Sequence, residues 1–187
     1  MSSNYGKLIV ISAPSGTGKG TVINELIKKR PDFVFSISAT TRPPRPHEID
    51  GIDYHFLTKE SFNEMISNDG FLEHAEYVGN YYGTPISPIK DHLKNKRTVL
   101  LDIEVQGAKQ VMVKMPEAIS IFIVPPDMAE LERRLRGRGT DSEEKLAKRL
   151  EQASLELKQK DNYAFVVVND NVDRVVNEIL SLIDRKE

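Results

Sequence analysis

The stretch from Leu8 to Thr21, LIVISAPSGTGKGT, constrains this chain more than any other. Leu8 to Ile11 is an apolar run rich in β-branched residues and predicts a buried strand. A glycine-rich turn follows, and then Val22, Ile23, Leu26 and Ile27 recur at helical spacing. Strand, glycine loop and helix in that order are the setting a phosphate-binding P-loop needs. Successive backbone N–H groups there make a concave anion site, and the helix start adds partial positive charge. Lys19 reaches the outer phosphates as a mobile point charge. The plainer alternative is a glycine turn that merely starts an amphipathic helix. Agreement between motif and context favours the phosphate site.

Against the pattern G-x-x-x-x-G-K-[ST], Ala13 stands in place of the first glycine. Gly20 stands where a magnesium-ligating hydroxyl is usual, and Thr21 comes one place later. A Gly-Lys-Gly-Thr ending resembles the nucleoside monophosphate kinases, adenylate kinases among them.

The chain of 187 residues suits one compact domain with room for inserted lobes. Apolar residues make up 39% and charged ones 29%, which indicates a soluble globular class. A net charge of −2 gives no basic field that would point to nucleic acid or a membrane surface. Without cysteine there are no disulfides and no thiolate metal sites. The longest apolar runs are strand-sized, and Met1 to Lys7 lacks the apolar segment of a signal peptide. A cytoplasmic enzyme is the expectation. The four histidines lack ligand spacing, so no protein metal site is assigned to them.

Further along, the first helix is expected to run to about Arg30, before Pro31. Phe33 to Ser38 reads as a short strand. Thr40 to Pro46 is too proline-rich for a helix or central strand, and reads as a stiff loop carrying Arg42 and Arg45. Tyr54 to Leu57 is a strand, and Thr58 caps a helix to about Asn68 that Gly70 ends. Phe71 to Val78 is a strand, Gly79-Asn80 a turn into Tyr81 to Thr84, and Ser87-Pro88 an N-cap and N1 pair. Because these strands lie close together, residues 38–86 look like a small mixed or antiparallel lobe inserted in an α/β core.

The core resumes at Thr98 to Asp102, a buried strand ending in a carboxylate. A helix from Val105 to about Met115, a strand from Ala118 to Val124 and a helix capped by Asp127 follow. Thr140 and Glu143 form a capping box for a helix to about Lys160. Phe165 to Val168 and a helix from Val172 to Lys186 close the chain. Alternating strands and helices argue a parallel α/β sheet, with ligands at the carboxyl ends of its strands.

These segments together resemble a guanylate kinase from end to end. The resemblance is carried by Ser12 to Thr21, by Phe35 to Arg42 with Arg45, and by Gly51 to Phe56. It continues in Phe71-Leu72-Glu73, Gly79 to Thr84, Leu101 to Gly107, Arg133 to Leu135 and Gly137 to Thr140. It implies the reaction ATP + GMP = ADP + GDP with Mg2+, in a P-loop three-layer α/β fold. The implied division is a core of residues 1–37, 87–125 and 153–187, a GMP-binding lobe of residues 38–86 and a helical lid of residues 126–152. Substrates would be ATP and GMP, with dGMP as a further acceptor, and neither nucleic acid nor membrane as partner. Monomer and homo-oligomer both stay open.

By position, the resemblance gives Ala13, Pro14, Ser15, Gly16, Thr17, Gly18, Lys19, Gly20 and Thr21 to the ATP phosphates and Asn169 to the adenine. Ser38, Glu73 and Thr84 would meet the guanine; Arg42, Arg45, Tyr54 and Tyr82 would hold the GMP phosphate. Asp102 and Glu104 would lie near the metal and the GMP. Lys19, Arg134, Arg138 and Arg149 would clamp the transferring phosphoryl group. Magnesium would be held by nucleotide phosphates and water, with Asp102 or Thr21 as the nearest protein oxygens.

The chemistry suits these residue types. A GMP phosphate is already a nucleophile, so what it needs is charge cancellation and alignment, which lysine, arginine and a cation supply. Arg133 and Arg136 read better as a solvated basic face, and Asp102 has the alternative of a helix cap. Glu73 has the alternative of solvating an exposed strand. For the whole chain the rival readings are a related interaction domain that has lost catalysis and a kinase for another nucleotide.

Overall fold

The computed structural model describes residues 5–77, 79–137 and 142–185. The chain divides into two compact units, considered separately below. The first runs to Leu8 and takes in Phe33–Leu101 and Gln106–Ala118; the second takes in Ile9–Asp32, Asp102–Val105 and the chain from Ile119 onward.

In the second unit, β1 (Leu8–Ser12) is buried at every position and leads through the glycine loop into α1 (Lys19–Lys29). Val22, Ile23 and Leu26 are the buried stripe of α1, as the helical spacing requires. The strand pairs in parallel with β8 (Ile119–Val124), which pairs with β9 (Phe165–Val168). Helix α7 (Val172–Asp184) packs on α1 with Val175, Val176, Ile179 and Ile183 inward. Helices α5 (Met128–Arg136) and α6 (Glu143–Leu157) close a small core of Leu131, Leu135, Leu146 and Ala153. A short 3-10 turn, Lys160–Asn162, precedes β9.

In the first unit, β2 (Val34–Phe35) pairs in parallel with β7 (Val99–Asp102). With β1, β8 and β9 these make a five-stranded parallel sheet. A second, mixed sheet has the order β4-β3-β6-β5, from β3 (Ala39–Thr40), β4 (His55–Phe56), β5 (Phe71–Tyr77) and β6 (Asn80–Pro85). β3 runs parallel to β4, and β6 is antiparallel to both β3 and β5. Its apolar face packs on α2 (Lys59–Ser67), where Phe62 stacks on Phe71 at 4.3 Å between ring centroids. The α3 helix (Ile86–Lys94) and α4 (Val105–Lys114) complete the chain. The parallel α/β core and the second mixed sheet are those expected from the sequence.

Four local readings are corrected. Phe33 to Ser38 is not one strand: the chain leaves the parallel sheet after Phe35 and enters the mixed sheet at Ala39, leaving Ser38 between them. Asp69, not Gly70, carries the positive φ of 50° at the end of α2, while the Gly70 N–H bonds back to Met65. Ser87 does not cap α3, which starts at Ile86 after Pro85. Pro88 therefore sits within the first turn, where its missing N–H has no intrahelical partner to lose. Ser142 caps α6, its Oγ accepting from Lys145 N at 3.4 Å, so Glu143 opens the helix instead of sitting three places into it. The expected cap, Thr140, lies outside the described residues.

Candidate functional site: a phosphate loop and a buried carboxylate

The P-loop is shaped by Gly16 and Gly18, at φ 94° and 89°. Both lie in the left-handed region that glycine enters without steric cost. A side chain at Gly16 would also strike Leu135, 2.7 Å from the Cβ position. Thr17 is buried and turns inward, its Oγ1 donating to the carbonyl of Pro14 at 2.8 Å. Its own carbonyl is gripped twice, by Asn169 Nδ2 at 2.7 Å and by Arg134 Nη1 at 3.1 Å. Arg134 also donates to the Asn169 carbonyl at 2.9 Å and to Glu130 at 2.7 Å. Asn169 and Arg134, expected at the adenine and at the phosphoryl group, both brace the loop at the Thr17 carbonyl.

The start of α1 is bare. Thr58, Asp127, Ser142 and Asn171 each cap a helix with a side-chain oxygen, whereas Gly18 offers α1 none. No acidic residue occupies the first turn of α1. Neither a side-chain cap nor a first-turn acid therefore answers its leading N–H groups and positive dipole end. Beside this opening Lys19 pairs with Asp102, both partly exposed, at the end of β7. Asp102 is an ion-pair partner here, not a helix cap. Arg149 donates to Ser15 Oγ at 2.6 Å. Ala13 and Pro14 lead into the loop, Gly20 and Thr21 lie exposed on the opening turn of α1, and Glu104 is exposed just after β7. Arg138 lies outside the described residues.

Arg133 and Arg136 behave as the solvated face the sequence suggested. Arg133 pairs with Glu130, and Arg136 with Glu132 and Glu143. The Arg133 guanidinium, then that of Arg134, holds the Glu130 carboxyl down at about 2.

The first unit holds Ser38, Arg42, Arg45, Tyr54, Glu73, Tyr82 and Thr84. Glu73 is buried, only 6% exposed, which removes the reading of a carboxylate solvating an exposed strand. It sits opposite Thr84 across the β5–β6 ladder and accepts a hydrogen bond from the Thr84 hydroxyl. Arg42, Tyr54 and Tyr82 form a second cluster: the guanidinium lies 5.5 Å from the Tyr54 ring centre, which lies 6.2 Å from that of Tyr82. Arg45 is exposed, and Ser38 is half-buried with its carbonyl accepting from His55 N at 2.9 Å.

One organising residue escaped the sequence reading. Glu48 accepts from Arg42 Nη2 at 2.9 Å and from the Arg45 backbone N–H at 2.7 Å, tying the proline-stiffened loop closed. The Arg42 guanidinium, and then the Arg45 N–H, hold its carboxyl below the usual carboxylate range. The available signal was an acid three residues beyond Arg45 in a loop otherwise basic.

The guanylate kinase family model matches residues 5–186. This chain belongs to the guanylate kinase family. Over 180 residues it is 51% identical to the guanylate kinase of Prochlorococcus marinus (strain MIT 9312), covering 96% of this chain and 98% of that one. It is 49% identical over 183 residues to the guanylate kinase of Latilactobacillus sakei, covering 97% and 90%. The crystal structure of the guanylate kinase from Anaplasma phagocytophilum superposes with a TM-score of 0.76 at 34% identity, over 97% of this chain and 86% of that one. Membership makes this guanylate kinase family chain an enzyme of the nucleoside monophosphate kinase class. Among the described residues no helix is long and apolar enough to cross a membrane.

Proposed function

We propose that this protein phosphorylates GMP with ATP, and that the two residue sets above divide the work. The loop before α1 carries the reading: Gly16 and Gly18, both left-handed, lead into a helix start with no side-chain cap and no acid in its first turn, and Lys19 stands beside it, a setting open to an anion. Backbone N–H groups of the loop hold the ATP phosphates, and Lys19 follows the outer ones. An oxygen of the GMP phosphate attacks the γ-phosphorus as the bond to the β–γ bridging oxygen breaks, giving ADP and GDP. No general base is required, because the attacking phosphate oxygen is already anionic. Lys19, Arg134, Arg138 and Arg149 spread positive charge over the transferring group. Arg134 and Arg149 already reach the loop in this structure.

In the first unit, Arg42, Arg45, Tyr54 and Tyr82 hold the GMP phosphate, with Arg42 pre-oriented by Glu48 and the Tyr54 ring. Glu73 faces the guanine edge. That edge offers the ring N1–H and the exocyclic amino group, two donors that a carboxylate accepts together. Adenine presents an unprotonated ring nitrogen there and meets repulsion. Ser38 and Thr84 refine this choice, and dGMP keeps the same edge.

Magnesium fits the donor set. Among the described residues no group of three His, Cys, Asp or Glu could cage a metal. The protein oxygens on hand are Asp102, Glu104 and the Thr21 hydroxyl, which suits an ion held chiefly by phosphate oxygens and water. Once bound with ATP, it neutralises charge on the phosphate oxygens. The lid of residues 126–152 closes over this chemistry and excludes water. A cytoplasmic setting fits a cysteine-free nucleotide kinase.

The decisive experiment is a coupled ADP-release assay with ATP and magnesium across GMP, dGMP, AMP, CMP, UMP and dTMP. Turnover should appear with GMP and dGMP. Turnover with none of the nucleotides would leave a folded but inactive relative, and preference for another base would overturn the role of Glu73.

A further inference from the structure

Strand β5 is an edge of the mixed sheet, and its outer side is met by α4 instead of by another strand. The Gln110 carboxamide accepts from the His74 N–H at 3.2 Å and donates to the His74 carbonyl at 2.9 Å. One side chain thus satisfies both backbone groups, as a neighbouring strand would. One turn further on, Lys114 Nζ donates to the Phe71 carbonyl at 3.1 Å. One turn earlier, Gly107 is buried against Glu73 itself: a Cβ there would lie 2.5 Å from Oε2 and 3.0 Å from the carboxyl carbon. Positions 107, 110 and 114 share one face of the helix.

The strand these residues grip is irregular at the same place. Its register against β6 shifts between Phe71 and Glu73. Bulges of this kind re-aim a side chain and weaken the local ladder. The backbone on either side, at Phe71 and His74, is what Lys114 and Gln110 hold. The carboxylate itself is bounded by Thr84 on Oε1 and by the missing side chain of Gly107 at Oε2.

We propose that the Gly107–Gln110–Lys114 face of α4 is the positioning device for the Glu73 carboxylate, so that Gly107 and Gln110 help determine the preference for GMP over AMP. The inference rests on the reading that Glu73 meets the guanine edge. A two-donor edge must meet both oxygens in one plane, within roughly 0.5 Å and 10–20°. A methyl at position 107 takes the space of Oε2 and turns the carboxylate out of that plane. Loss of the Gln110 bonds frees the strand one residue beyond Glu73. Gly107 and Gln110 lie with Glu73 in the first unit, so the effect is expected on the acceptor nucleotide.

The test is steady-state kinetics of the full chain with GMP and with AMP, at varied ATP, for wild type, Glu73→Gln, Glu73→Asp, Gly107→Ala, Gln110→Met and the pair Gly107→Ala with Glu73→Asp. Gly107→Ala should lower kcat/KM for GMP by about 10- to 100-fold, up to the scale of a misplacement near 1 Å. The KM for ATP should stay unchanged, and the GMP:AMP ratio of kcat/KM should fall towards that of Glu73→Gln. Gln110→Met should move the same ratio in the same direction by a smaller factor. Glu73→Asp shortens the side chain, so in the Gly107→Ala background it should restore part of the GMP kcat/KM, although alone it lowers it.

Should Glu73→Gln lower the ratio while Gly107→Ala and Gln110→Met lose GMP and AMP activity equally, α4 merely supports the fold and the inference fails alone. Should Glu73→Gln leave the ratio unchanged, the base-reading role fails and takes the inference with it. If Gly107→Ala does not fold, the ratio in Gln110→Met decides.

Discussion

Ala13 to Thr21 is one unbroken stretch whose working groups are backbone N–H donors, aimed by two left-handed glycines and an uncapped helix. Glu73 and Thr84 lie eleven residues apart on two strands; their working groups are side chains, and the backbone of β5 on either side of Glu73 is braced by a third element, α4. Charge recognition needs little beyond concavity and positive potential, which local backbone conformation supplies. Base recognition needs two acceptors at a fixed distance and angle, which only tertiary packing supplies. The two regions should therefore fail in different ways when altered.

The largest effect is expected at Lys19. Lys19→Ala should lower kcat by about 10²–10³-fold, the scale on which a single preorganised charge donor acts. Circular dichroism and GMP binding should stay close to wild type, because Lys19 and its partner Asp102 belong to the P-loop unit. Near-normal turnover would break the phosphate-loop half of the comparison.

Next comes Glu73→Gln. Loss of one charge-assisted bond, about 1.5–3 kcal/mol, corresponds to roughly a 10- to 100-fold drop in kcat/KM for GMP. Activity with AMP should not fall. An equal loss for both nucleotides would show that Glu73 supports the mixed sheet and reads nothing.

Gly18→Ala sharpens the contrast from the backbone side. An L-residue at φ 89° costs about 1–2 kcal/mol, and its Cβ would lie 2.8 Å from Asn169 Nδ2. ATP should bind about tenfold more weakly, and Tm should fall by roughly 2–4 °C for each kcal/mol. GMP affinity should be untouched. A selective loss of GMP binding would contradict the division of labour.

The last effect is one of pH. Tyr163 packs on Phe122, and burial pushes its hydroxyl from 10.0 up to about 12. Between those values the unfolded chain releases a proton that the folded chain keeps. Stability should therefore fall as pH rises from about 10 to about 12, and Tyr163→Phe should flatten that slope. Thermal melts across this range check it. An unchanged slope in Tyr163→Phe would assign the alkaline loss to other groups.

The sequence by itself determined whatever depends on neighbours along the chain. The Leu8–Thr21 stretch, the Asp127 cap and the Phe165–Val168 strand follow from local periodicity, left-handed glycine and side chains that reach the next turn. The solvated face of Arg133 and Arg136 was legible for the same reason, and the structure added their ion pairs. Tertiary structure alone decided that Glu73 is buried, that Asn169 and Arg134 hold the Thr17 carbonyl, and that Glu48 closes the arginine loop. It also moved the start of α3 from Pro88 to Ile86, and the Ile86 N–H finds its acceptor in Gly70, sixteen residues back. A carboxylate's surroundings depend on which distant residues the sheet register brings against it. No periodicity in one chain encodes that register, because it is fixed only when both strands and the helix beside them share one packed core.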